Sequence, residues 1–233
     1  MTETPTQETP ANESAAKAAP NPFPVSKGAI VYSGEWKRQH ENAQLFVRRL
    51  LGLREARAGS LALLRRNAGE SLSTSRNVLS AFYKLQPQPK YLEQYFLVAT
   101  LFDLNRARLI PGDMGDTMRL TRLQSSDSFE RRFLVLLGSA FDAEAEVNEL
   151  AYRLRQLVKI AGSKEVGLNW PVLLADLCLW DDARKPVQKK WAANFYQLNA
   201  PLAGEATSEA AGPNTPTSDS TPGDSTGEPT DAD

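Results

Sequence analysis

Between Glu35 and Leu198 the large apolar residues return every three or four positions and almost never every second one. A chain patterned this way hides its apolar side chains by coiling into helices, because a half-buried strand would present them through alternate residues. Trp36, Ala43, Phe46, Val47, Leu50 and Leu51 make one stripe over 35–51, and after Gly59 a short segment follows at 61–66. Ser73 or Thr74 is placed to cap a helix burying Val78, Leu79, Phe82 and Leu85, which stops where Pro87 and Pro89 cannot continue the hydrogen-bond ladder. An apolar helix is expected over 90–104, while 105–126, with its PGDMGD, reads mostly as loop. Asp127 and Glu130 resemble a capping box for a helix carrying Phe129, Phe133, Leu134, Leu136 and Leu137. Leu150, Leu154, Leu157, Val158 and Ala161 share one face of 142–161. Asn169 caps a helix over 169–182 with Pro171 in its first turn, and a last helix over 184–198 runs through Val187, Trp191, Phe195 and Leu198. Only AIVY at 29–32 alternates. The expectation is an all-α fold, a single helical bundle of about eight helices joined by short loops.

Residues 1–26 and 201–233 are rich in Pro, Ser, Thr, Ala, Gly and acid, and hold too little apolar surface to offset the entropy of ordering. They are expected to be disordered tails around a folded domain at 27–200. They also mask a charge asymmetry. The chain has 27 Lys and Arg against 28 Asp and Glu, a net −1; the N-terminal tail carries −2 and the C-terminal tail −7, which leaves +8 on the domain. A basic domain is a candidate for binding polyanions.

Most catalytic chemistry lacks its residues. His40 is the one histidine and Cys178, in the apolar run LLADLCLW, the one cysteine, so the usual zinc sets and nucleophile–histidine pairs are not available. No glycine-rich phosphate cradle is present, and no cofactor or metal is expected. Asp113 and Asp116 in PGDMGD read as turn formers, with a magnesium-holding nuclease loop as the alternative. Asp181 and Asp182 end one helix or cap the next. A lone cysteine suits a reducing cytoplasm, the N-terminus has no secretory pattern, and no run reaches the ~18–20 apolar residues of a membrane span. The chain is read as a non-enzyme.

What it has is arginine, mostly in pairs: Arg48–Arg49, Arg65–Arg66, Arg131–Arg132, Arg153 with Arg155, and Arg184–Lys185 followed by Lys189–Lys190. All are expected at helix ends or on polar faces. A guanidinium suits phosphate because its planar fork donates two parallel hydrogen bonds and stays charged. Arg155 and Lys159, four apart, share a helix face. No base-reading element accompanies them, so the backbone of a nucleic acid is the natural ligand. A spacer whose arginines pair with acidic faces of neighbouring subunits is the alternative.

The succession ALLRR, AFYKLQP, SFERRFLVLL, YRLRQLV, GLNWPVLLADLCLW and VQKKWAANFY resembles the small subunit (CasB family) of the type I-E CRISPR effector complex, Cascade, over about 35–198. NWPVLL at Asn169–Leu174 and WAANFY at Trp191–Tyr196 are its most specific pieces. The resemblance implies a helical, non-catalytic subunit, present as two copies beside other Cascade subunits, that contacts guide RNA and the target and displaced DNA strands and stabilises the R-loop in antiviral defence. It carries nucleic-acid contacts onto Arg65, Arg66, Arg131 and Arg132, and onto Arg155, although Gln156 stands where the family has a second basic residue. Lys90, Arg184 and Lys185 match basic positions of the family, and Lys159 and Lys189 complete the expected surface. Met118–Arg119–Leu120 departs from the family pattern, and the tails have no counterpart in it.

Overall fold

The computed structural model describes residues 34–56, 59–122, 128–145 and 147–196. Both tails, AIVY, Asp127 and Leu198 lie outside them. Among the described residues the chain forms nine α-helices and no strand: α1 (Gly34–Glu55), α2 (Gly59–Arg66), α3 (Leu79–Tyr83), α4 (Leu92–Leu101), α5 (Met114–Arg122), α6 (Ser128–Gly138), α7 (Glu149–Ser163), α8 (Trp170–Leu177) and α9 (Pro186–Phe195). No helix among them is long and apolar enough to cross a membrane.

Two predominantly apolar helices are central. All of α8 is buried, as is α4 from Tyr95 onward. Around them the amphipathic helices turn one face inward, with α1 lying chiefly along α8, α5 along α9 and α2 along α4. The α1 stripe expected from the sequence is buried except for the half-buried Leu51, and the five residues assigned to the inner face of α7 are all buried. Phe46 packs edge-on to Tyr95 (4.8 Å) and Phe82 edge-on to Phe96 (5.2 Å), joining α1 and α3 to α4.

Several local expectations need correction. Residues 114–122, expected as loop, are helical, and PGDMGD supplies the start: Asp113 Oδ1 accepts from the Gly115 and Asp116 amides (2.8 and 3.3 Å), while Asp116 Oδ2 accepts from the Asp113 amide (3.0 Å). That reciprocal pair is a capping box built from two aspartates. A Cβ at Gly115 would run into the Trp191 carbonyl, so glycine is what lets α5 lie close to α9. Neither Ser73 nor Thr74 caps α3; their hydroxyls bond to Ser71 instead, and a 3-10 turn at Arg76–Val78 leads into the helix. The helix expected from 142 begins at Glu149, where Asn148 Oδ1 accepts from the Ala151 amide (3.1 Å). Leu134, placed on the buried face of α6, is 45% exposed. Asn169 caps α8 as expected, accepting from the Val172 amide.

The largest correction concerns Lys190. Expected in a solvated basic pair, it is buried, and its Nζ lies 2.6 and 2.8 Å from the two carboxylate oxygens of Asp176 and 3.7 Å from Asp113 Oδ2. The indole N–H groups of Trp36 and Trp191 each donate to Asp176 at 2.7 Å, and Asn194 Nδ2 donates to Asp113 at 2.9 Å. One buried polar network thus ties α1, α5, α8 and α9 together. Burial pushes the Asp113 carboxyl up to about 7, against the pull of Lys190. His40 stacks on Trp36 (4.7 Å between centroids), and its half-burial lowers its pKa despite the nearby Asp176 and Glu41.

Candidate nucleic-acid interface

The charges left at the surface do not all gather in one place. The densest group surrounds Asp103, whose side chain is 2% exposed and sits in the 3-10 turn that ends α4. Arg65 reaches it from the end of α2 (3.2 Å), Arg106 from the following segment (2.7 Å), and Arg54 from the last turn of α1 (3.9 Å). Three guanidinium groups therefore share one carboxylate. Arg54 is pinned further by the Phe102 carbonyl (2.7 Å) and stacks over the Phe102 ring (4.0 Å). Its burial lowers its pKa, whereas the hydrogen bond to Asp103 raises that of Arg106. Arg65 and Arg106 remain open to solvent, with side chains 44% and 66% exposed.

Helix α7 joins this group. Gly69, just past α2, takes a left-handed φ of +86°, and a Cβ there would stand 3.2 Å from Arg155 Cδ, so the turn after α2 rests on the arginine's aliphatic stem. Beyond the other end of α7, the Val166 carbonyl accepts from Asn105 Nδ2 at 2.8 Å. Arg155 and Lys159 thus lie on the stretch of α7 that runs from the end of α2 toward the segment holding Arg106. Arg66 and Lys159 are exposed and Arg155 half-buried, and none of the three has an ion-pair partner among the described residues. Of the expected residues, the structure thus places Arg65 on Asp103 and Arg155 against the turn that follows α2, and adds Arg54 and Arg106. Neither addition belongs to a pair of adjacent arginines. The signal for them was Asp103, an acid closing an otherwise apolar helix, where a buried carboxylate needs cations.

The other expected residues stand elsewhere. Arg131 and Arg132 are exposed on α6 and have no ion-pair partner among the described residues. Arg184 is spoken for by Asp182 (3.1 Å), while Lys185 and Lys189 are exposed at the start of α9. Lys90 pairs with Glu35 (3.6 Å) at the first turn of α1. Glu35 and Arg54 are nineteen residues apart on that helix, so Lys90 is separated from the Asp103 group by about 28 Å. Some arginines expected on polar faces have other work. Arg49 Nη1 donates to the Leu85 and Gln86 carbonyls (3.0 and 3.4 Å), Arg153 pairs with Glu149 (2.7 Å), and Arg48 is half-buried.

No group of three or more His, Cys, Asp or Glu among the described residues is placed to hold a metal. The Asp113 and Asp116 carboxylates are buried and occupied in capping α5. Burial raises the Cys178 thiol well above its usual pKa, which keeps it protonated and inert.

Residues 60–196 match the family model of CRISPR-associated protein Cse2. A Cse2 protein of Thermus thermophilus is 34% identical over 108 residues, which is 46% of this chain and 59% of that relative's length. The fold resembles the crystal structure of M. ruber CasB, with 30% identity, a TM-score of 0.50, and coverage of 67% of this chain and 93% of that one. A chain of a CRISPR RNA-guided surveillance complex has the same fold at 18% identity, with a TM-score of 0.57 and coverage of 68% and 94%.

Proposed function

This chain belongs to the CRISPR-associated Cse2 family, and we propose that it acts as a non-catalytic subunit of a CRISPR RNA-guided surveillance complex, holding nucleic-acid backbone without reading sequence. Its partners in this reading are the guide RNA, the target and displaced DNA strands, the other Cascade subunits and a second copy of itself. The observation that carries it is the surplus of guanidinium around Asp103, where Arg54, Arg65 and Arg106 face one carboxylate, with Arg155 against the turn just past α2; Arg66 and Lys159, exposed on α2 and α7, extend it in this reading. An excess of rigidly mounted forks over internal acceptors leaves donors for phosphate. Pairing a guide to its target replaces a DNA duplex of similar stability, so modest backbone contacts of this kind tip the exchange toward the R-loop. Arg131 and Arg132 on α6 offer a second grip, and Lys185 and Lys189 a third.

The test is charge reversal of Arg65, Arg66, Arg131 and Arg132 together in the full chain. Retention of the displaced strand should weaken while the helical circular dichroism stays intact. The dependence of log affinity on log salt should flatten by roughly 0.7 for each phosphate of a single strand that the variant no longer neutralises. Normal assembly with R-loop retention at wild-type strength in moderate salt would show the assignment to be wrong. Failed assembly, with the unmodified protein binding free DNA no better than a neutral control, would favour the spacer.

A further inference from the structure

Helices α1, α2 and α3 border an open groove of about 500 Å³. Leu53, Leu63 and Leu85 contribute its floor, and Arg49 and Lys84 are its two charged residues; none of its lining residues is acidic or aromatic. Arg49 is preset for a ligand. Its Nη1 is anchored on the Leu85 and Gln86 carbonyls, and no bond among the described residues uses its Nε or Nη2. Those two N–H groups form the side of the fork that grips a carboxylate with two parallel bonds. Lys84, exposed, has no ion-pair partner among the described residues. Two large apolar side chains flank these cations: Leu45, one turn before Arg49 on the same side of α1, is 50% exposed, and Tyr83, next to Lys84, is 49% exposed.

We infer that this groove docks a segment of a different protein subunit in which an Asp or Glu stands within a turn of an aliphatic side chain. The inference rests on the chain's working inside a multi-subunit complex. The carboxylate meets Arg49 and Lys84, and the aliphatic group fills the leucine floor, with Leu45 and Tyr83 as rim anchors. Charge complementarity selects an acidic partner, since the groove presents two cations and no anion of its own. Its leucine floor argues against a nucleic-acid backbone, whose sugars and phosphates bring no aliphatic side chain to cover it. A groove with an apolar floor and a few fixed polar groups is also what a specific docking site requires.

The experiment uses the full chain expressed with the other subunits of its complex. Photoactivated Lys84→p-benzoylphenylalanine should crosslink to a peptide of another subunit carrying an acidic residue beside an aliphatic one. Lys84→Glu should weaken association with the rest of the complex about tenfold, as loss of a charged anchor does, while the isolated protein keeps its affinity for single-stranded DNA. Ser80→Tyr, which fills the groove without changing charge, should weaken association likewise with an unchanged melting temperature. Crosslinks only to nucleic acid or to a second copy, absence of any crosslink, or loss of DNA binding with association intact would overturn the groove assignment. If the unmodified chain joined no complex at all, the surveillance-complex role itself would fall first, and a groove that still crosslinked nothing would fall with it.

Discussion

Two ionic clusters built around buried aspartates have opposite characters. Around Asp103 three arginines converge on one buried carboxylate from the surface. Around Lys190 two buried carboxylates, Asp176 and Asp113, converge on one buried ammonium, with two indoles and an amide completing their acceptors. The first has positive charge to spare and solvent at its door, so it can act on a partner. The second spends its charge internally and holds four helices in register. A count of basic residues cannot distinguish them, because function depends on how many acceptors each cation already has and whether water can replace a missing one.

The widest gap between the clusters should appear on deletion. Asp176→Ala removes the two shortest bonds of Lys190, leaving it Asp113 at 3.7 Å, and takes an acceptor from Trp36 and Trp191; breaking a buried pair of this kind costs about 3–5 kcal/mol. Urea unfolding should register that loss as a large fraction of the domain's stability; a cost near zero would mean that the network gives no support. Asp103→Asn keeps a hydrogen-bond acceptor for arginines that water can also reach, and should cost about 1–3 kcal/mol. The sharpest contrast within one helix is Lys189→Ala against Lys190→Ala. The exposed Lys189 should be replaceable within about 0.5 kcal/mol, whereas Lys190 carries the buried pairs, and equal effects would erase the distinction.

A further contrast is a pH dependence carried by the buried cluster. With its pKa pushed up to about 7, Asp113 binds its proton more tightly in the folded chain than in the unfolded one. Its stabilising contribution is therefore complete below the ordinary carboxylate range and is lost as pH rises through about 7. Stability measured by urea titration should decline over that interval through this group, and Asp113→Asn, which still caps α5, should flatten the decline. An unaltered slope would place the titration elsewhere.

Periodicity made most of the fold legible, because burial is a property of one face of one helix and the apolar residues mark that face directly. The stripe of α1, the inner face of α7 and the Asn169 cap all stand where the sequence put them. What escaped were features decided between elements. PGDMGD looked like a loop because Gly and Pro punctuate it, yet Gly115 is there to let α5 touch α9, and the two aspartates cap rather than turn. Leu134 has the right spacing for the core of α6 but points where no neighbour covers it among the described residues. The site was half legible for the same reason. Arginine pairs flagged Arg65, Arg66 and Arg155, while Arg54 and Arg106 became visible only once Asp103 had a position in space.

All four tryptophans, Trp36, Trp170, Trp180 and Trp191, are buried, two of them bonded to Asp176 and none in the arginine group. Intrinsic emission from this protein is therefore a gauge of its interior. It should shift sharply when the core opens and stay nearly silent when an anion settles on the outer guanidinium groups. An optical titration that did respond to DNA would be reporting a rearrangement that reaches the helix packing, a distinction that no external dye could make as cleanly.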